Sequence, residues 1–249
     1  MKRIQCMVIS CIFLLLCAVP VGASATANVP TRVINVVYDD SGSMYSNADT
    51  WCRAKYSMEV FAAMLGEADH MNVYYMSDYI GNTTNPPRIT LNGADGADVN
   101  VSKIHNEKTT ANSTPFNAVR KACADLASAE ADEKWLVILT DGEFEDGRMS
   151  SAEIDSFLAG KADDIHVMFL GMGQKAAGIT ENAANNIFYV DAKTNTQILN
   201  RITEISTRIF NSNKLEVNAS TKKCSFDVPM GELTVFAQGA HVEIDGLRR

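Results

Sequence analysis

Past its first thirty residues the chain alternates short β-branched runs with longer stretches whose apolar residues return every third or fourth position. Arg32 to Tyr38 is apolar and β-branched, which predicts a central strand buried on both faces. Trp51, Ala54, Met58, Phe61, Ala62 and Leu65 then recur at helical spacing, and Gly66 is placed to end that helix. Asn72 to Ser77 reads as a second strand. From Ile80 to Val101 Gly, Asn, Asp and Pro dominate, with room for one short edge strand around Arg88 to Leu91. Pro115 suits the first position of a helix that turns Phe116, Val119, Cys123 and Leu126 inward. Lys134 to Thr140 is the strongest strand pattern, and Ser150 with Glu153 forms a capping box ahead of Ile154, Phe157 and Leu158. Two further strands, Ile165 to Leu170 and Asn186 to Val190, precede a final helix with Ile198, Ile202, Ile205 and Ile209 on one face. Strands separated by helices predict an α/β fold: a doubly wound, mostly parallel central sheet with helices on both faces.

The two ends read differently. Met1-Lys2-Arg3, a nearly continuous apolar stretch from Met7 to Val19 and small residues around Ala23 to Ala27 give residues 1–27 the form of a secretory signal peptide. An uncleaved anchor is the alternative, but the stretch is short of the roughly 20 residues a span needs. Residues 215–249 carry short β-like pieces at Cys224 to Val228, Leu233 to Ala237 and His241 to Ile244. They are expected to form a β-rich appendage or to begin a further domain.

Composition narrows the partners. The chain has 249 residues, is 46% hydrophobic and carries a formal charge of -8. That acidity argues against nucleic acid and anionic membrane surfaces and suits a protein that handles cations. Cys6, Cys11 and Cys17 fall in the leader; Cys52, Cys123 and Cys224 remain, with no zinc-site spacing, and Cys123 lies on the apolar face of its helix. The four histidines are scattered, none at ligand spacing from another.

The chemistry concentrates where apolar strands end. Val36-Val37-Tyr38 runs into Asp39-Asp40-Ser41-Gly42-Ser43, in which Asp39, Ser41 and Ser43 alternate and Gly42 permits the tight bend that turns all three toward one point. Thr114 stands just ahead of a helix, and Asp141-Gly142 follows the strand ending in Thr140. Ligands in open α/β sheets bind outside the carboxyl ends of the strands. All three segments belong to that rim, and hard oxygen ligands suit Mg²⁺.

Asp39-x-Ser41-x-Ser43, Thr114 before Pro115, and Asp141-Gly142 resemble the metal-ion-dependent adhesion site of von Willebrand factor A domains, over residues 31–211. The resemblance implies that Asp39, Ser41, Ser43 and Thr114 approach Mg²⁺, with Mn²⁺ or Ca²⁺ as substitutes, directly or through water. It implies that Asp141 acts mainly through a bound water, and that an acidic residue of a protein partner completes the coordination. It further implies a binding module at the cell surface or secreted, not an enzyme. The alternative of another class is an assembly domain of a larger envelope protein, in which the metal orders loops. An exported hydrolase is the weakest reading: Asp40-Ser41-Gly42-Ser43 matches an aspartic-protease signature, but the second copy that a carboxylate dyad needs is missing. Asp40, Glu143, Glu145 and Asp146 read first as solvated carboxylates near the rim.

Overall fold

The computed structural model describes residues 30–107, 113–173, 179–211 and 220–221. The expected leader, residues 1–27, and nearly all of the expected β-rich segment, 215–249, lie outside the described residues. Six strands form one sheet: β1 (Arg32–Tyr38), β2 (Asp69–Tyr75), β3 (Ile89–Asn92), β4 (Glu133–Thr140), β5 (Ile165–Gly171) and β6 (Ile187–Asp191). Their spatial order is β3-β2-β1-β4-β5-β6. All neighbours pair parallel except the edge strand β3, which runs antiparallel to β2.

Helices cover both faces, as the alternation predicts. They are α1 (Gly42–Ser46), α2 (Ala48–Ala63), α3 (Ala97–His105), α4 (Asn117–Ser128), α5 (Ser151–Ala159) and α6 (Asn195–Ile209). On one face Ile34, Val36, Val73, Val137 and Met168 pack against Ala54, Met58 and Phe61 of α2 and Ile198, Ile202, Ile205 and Ile209 of α6. On the other, Val37, Leu136, Ile138, Val167 and Phe169 meet Val119, Cys123 and Leu126 of α4 and Ile154 and Leu158 of α5. Alternate residues of each central strand thus serve opposite layers, the arrangement that a pleat buried on both sides requires.

Several boundaries differ from the sequence reading. α2 starts at Ala48 because the Asn47 side chain accepts from the Asp49 and Thr50 amides, a cap that precedes the first apolar position. It ends at Ala63, ahead of Gly66. β2 begins at Asp69, and a 3₁₀ turn over Met76–Tyr79 takes up the residues expected to continue it. Pro115 precedes rather than opens α4, whose N-cap is Phe116. α3 is unforeseen: within it only Asn100 and Ile104 are buried, too weak a stripe for periodicity to reveal. The Ser150–Glu153 capping box is present as read.

This topology fixes the place of the site. The chain leaves β1 for β2 on one side and later returns to lay β4 on the other, so strand order reverses between β1 and β4. β1 and β4 end together, Tyr38 opposite Leu139, and the Asp39 amide donates to the Leu139 carbonyl at 3.0 Å. Asp39 and Asp141 therefore leave neighbouring strands at the reversal, where ligands of open α/β sheets bind.

Candidate metal centre

Asp39 is completely buried, and both its oxygens are held. The Ser41 amide donates to Oδ1 at 3.0 Å, and the Thr140 hydroxyl donates to Oδ2 at 2.8 Å. Thr140 in turn accepts the Gly142 amide at 3.0 Å, which commits its proton to Asp39. Thr140 was not among the candidates read from sequence: a β-branched residue closing an apolar strand looks like core.

Burial raises the Asp39 carboxyl to a pKa of about 6, bonds from the Ser41 hydroxyl oppose that rise, and the Asp141 carboxylate adds to it. The two acids are thus within electrostatic reach of each other. Among the described residues neither pairs with a Lys, Arg or His. Two neighbouring carboxylates, one of them dry and neither with a countercharge among the described residues, favour an external cation.

Ser41 is the N-cap of α1 and Ser43 lies in its first turn, so Gly42 opens a helix rather than the tight bend read from the sequence. The Ser41 and Ser43 hydroxyl oxygens are 3.0 Å apart. Oxygens at adjacent corners of an octahedron about 2.1 Å from Mg²⁺ stand ~3.0 Å apart, so the pair fits two ligand positions. Ser43 is exposed, whereas Ser41 is buried, as expected of a site open to solvent on one side. Among the described residues no three His, Cys, Asp or Glu side chains form a metal cage. The donor set is instead two carboxylates and three hydroxyls, the chemistry of a hard-cation site that retains water.

Asp141 is half-buried, and two glycines shape its surroundings. Gly142 has φ +112°, a conformation that side chains rarely adopt. Gly173, just past β5, lies so close that a Cβ there would stand 2.6 Å from the Asp141 Cβ. The preceding Met172 is fixed from both sides: its amide donates to the Thr140 carbonyl at 2.8 Å, and its carbonyl accepts from Arg53 Nη2 at 3.2 Å. The end of β5 therefore walls the site.

Thr114 is buried and bound to the loop that follows Asp141, its hydroxyl accepting the Asp146 amide at 3.1 Å. The structure thus links Asp39, Ser41 and Ser43 by hydrogen bonds, sets Asp141 beside Asp39, and joins Thr114 to the Asp141 loop; no direct bond connects Thr114 to the other four. Asp40 does not turn solventward as read: it is buried, and its Oδ1 accepts the Ser77 amide at 2.9 Å. Glu145 departs from the solvated reading, its carboxylate accepting the Phe116 amide at 2.9 Å, whereas Asp146 is exposed as read while its Oδ1 also accepts the Thr114 amide at 3.2 Å.

The sequence matches no family model and no curated protein. Solved structures do match by shape. The PilB minor pilin from Streptococcus sanguinis aligns with a TM-score of 0.56 at 15% identity, over 74% of this chain and 62% of that one. The pilus adhesin SpaC from Lactobacillus rhamnosus GG aligns at 0.51 and 16% identity, over 73% and 30%. A von Willebrand factor type A protein from Catenulispora acidiphila aligns at 0.50 and 13% identity, over 74% and 44%. The chain therefore spans less than two thirds of each of these proteins. With its mostly parallel six-stranded sheet between two helical layers, it has a von Willebrand factor A-like fold.

Proposed function

We propose that this chain is an exported binding module that holds a divalent cation, Mg²⁺ in the first instance, on Asp39, Ser41, Ser43, Thr114 and Asp141. Recognition of a protein partner would follow through the same rim. The observation that carries the reading is the pairing of Asp39 and Asp141 at the strand-order reversal with no countercharge among the described residues. A bound cation supplies a Lewis-acidic position that an acidic partner group can complete. The chain's own residues do the rest: Thr140 and the Ser41 amide orient Asp39, the Ser41–Ser43 pair presents two oxygens at octahedral spacing, and the missing side chain at Gly173 leaves room for Asp141. Asp40, the carboxylate of the aspartic-protease-like signature, is buried with its Oδ1 accepting the Ser77 amide.

Fold likeness to a minor pilin and a pilus adhesin favours a surface location and lends weight to a second reading, an assembly domain of a larger envelope protein. Thermal unfolding in EDTA and then in excess Mg²⁺, Mn²⁺ or Ca²⁺ tests the metal. A ligand at 100 times its dissociation constant should add about 2.7 kcal/mol, and Asp39→Ala should abolish that gain. No shift with any of the three ions would overturn the proposal. If Asp39→Ala loses partner binding but keeps its metal-free melting temperature, the recognition reading holds; if assembly and melting temperature fall together, the assembly reading replaces it.

A further inference from the structure

Glu145 and Asp146 are consecutive non-glycine residues in the left-handed region, at φ +51° and +55°. Side-chain-bearing residues avoid that region unless the surroundings impose it. What imposes it here is a reciprocal set of bonds to the Thr114 segment. The Glu145 amide donates to the Thr114 carbonyl at 2.7 Å, and the Asp146 amide donates to the Thr114 hydroxyl at 3.1 Å. In return the Thr114 amide donates to Asp146 Oδ1 at 3.2 Å, and the Ser113 hydroxyl donates to Oδ2 at 3.3 Å. The Phe116 amide donates to Glu145 Oε1 at 2.9 Å, serving a helix α4 whose own N-cap residue provides no side-chain cap.

We propose that Glu145 and Asp146 are positioning residues, a two-carboxylate clip that sets the rotamer and depth of Thr114 for metal binding. The inference rests on the metal reading above. Accepting the Asp146 amide uses one lone pair of the Thr114 hydroxyl and fixes the direction of the other, the one available to a cation. The same clip joins Thr114 to the loop leaving Asp141, so two candidate ligands from distant parts of the chain move as one body. Clip carboxylates spent on amides are not ligands themselves; they act as the outer partners that orient metal-binding groups.

The test is Mn²⁺ affinity, measured by electron paramagnetic resonance of the free ion on the purified protein, with circular dichroism to verify folding. Asp146→Ala is expected to weaken Mn²⁺ about tenfold or more, the effect usual for an outer-shell partner. Asp146→Asn, which retains the acceptor for the Thr114 amide, recovers most of that loss. Asp146→Gly relieves the backbone yet removes the carboxylate, so it weakens Mn²⁺ as Asp146→Ala does and replaces that variant if it fails to fold. In a Thr114→Ala background, Asp146→Ala costs less than about twofold more, because the clip acts through Thr114. Wild-type affinity in Asp146→Ala and Asp146→Gly, additive losses with Thr114→Ala, or an Asp146→Asn as weak as Asp146→Ala would each overturn the clip, the last in favour of a simple field effect. Failure of the wild-type protein to bind Mn²⁺ would instead overturn the metal reading, and the clip's role with it.

Discussion

Strand β1 buries charge at both ends, and the ends differ in what balances it. At the first, Arg32 lies in register with the opening residues of β2 and β4, Asp69 and Glu133. Its Nη1 donates to both Asp69 oxygens, at 2.9 and 3.1 Å, and its Nε donates to Glu133 at 2.8 Å. That end is closed by the chain itself. Just past the last residue, Asp39 is as deeply buried beside Asp141, yet its partners are a hydroxyl and an amide. A buried charge needs a countercharge; where the described residues supply none, a ligand can. The difference separates structural charge from functional charge on one strand.

Removing one partner from the closed end should do the most damage. Arg32→Ala leaves Asp69 buried and unpaired, at a cost of about 3–5 kcal/mol in denaturant unfolding. Any Mg²⁺ response of the remaining folded protein should persist. An undiminished stability would mean that the network at Arg32 contributes nothing net and that the contrast between the ends is false.

The open end should instead reveal itself through pH. The Asp39 carboxyl, about 6 when folded, titrates at 3.8 when unhindered. Between those values the folded protein retains a proton that the unfolded chain has lost, so metal-free stability falls as pH rises from about 4 to about 6 and then levels off. At ~1.4 kcal/mol per pKa unit the full drop approaches 3 kcal/mol. Unfolding curves at constant ionic strength read it directly. Asp39→Asn, which keeps an acceptor for Ser41, should remove the slope; a slope unchanged in that variant assigns it to other groups.

A smaller effect probes the wall of the open end without altering a ligand. A methyl at Gly173 would meet the Asp141 Cβ at 2.6 Å and its carbonyl oxygen at 3.0 Å. Gly173→Ala should cost about 1–3 kcal/mol as overpacking. It should also weaken Mg²⁺ by displacing Asp141, whereas wild-type affinity would mean that Asp141 is free to shift.

Regions with one dominant physical signal were legible in the sequence. β1 and β4 are apolar on both faces, and the Ser150–Glu153 box and the isoleucine stripe of α6 each stand where pattern placed them. α3 escaped because tertiary packing on α2 and β3, not amphipathicity, holds it. At the site the alternation Asp39-Ser41-Ser43 and the two strand ends were readable, since the ligand types themselves mark the place. Their supports were not. Thr140 looks like a core residue, and Glu145 and Asp146 look like a solvated acidic loop. Only the folded chain brings these carboxylates against amides more than twenty residues away in sequence.

Calorimetric titration of Mg²⁺ into the wild-type protein and into Asp39→Asn tests the central claim most directly. One saturable site is expected in the wild type and none in the variant, whose metal-free stability at pH 8 is no lower than that of the wild type. No saturable binding by the wild type, or equal binding by both, would contradict that claim: the charge at the open end of β1 would then be no cation site.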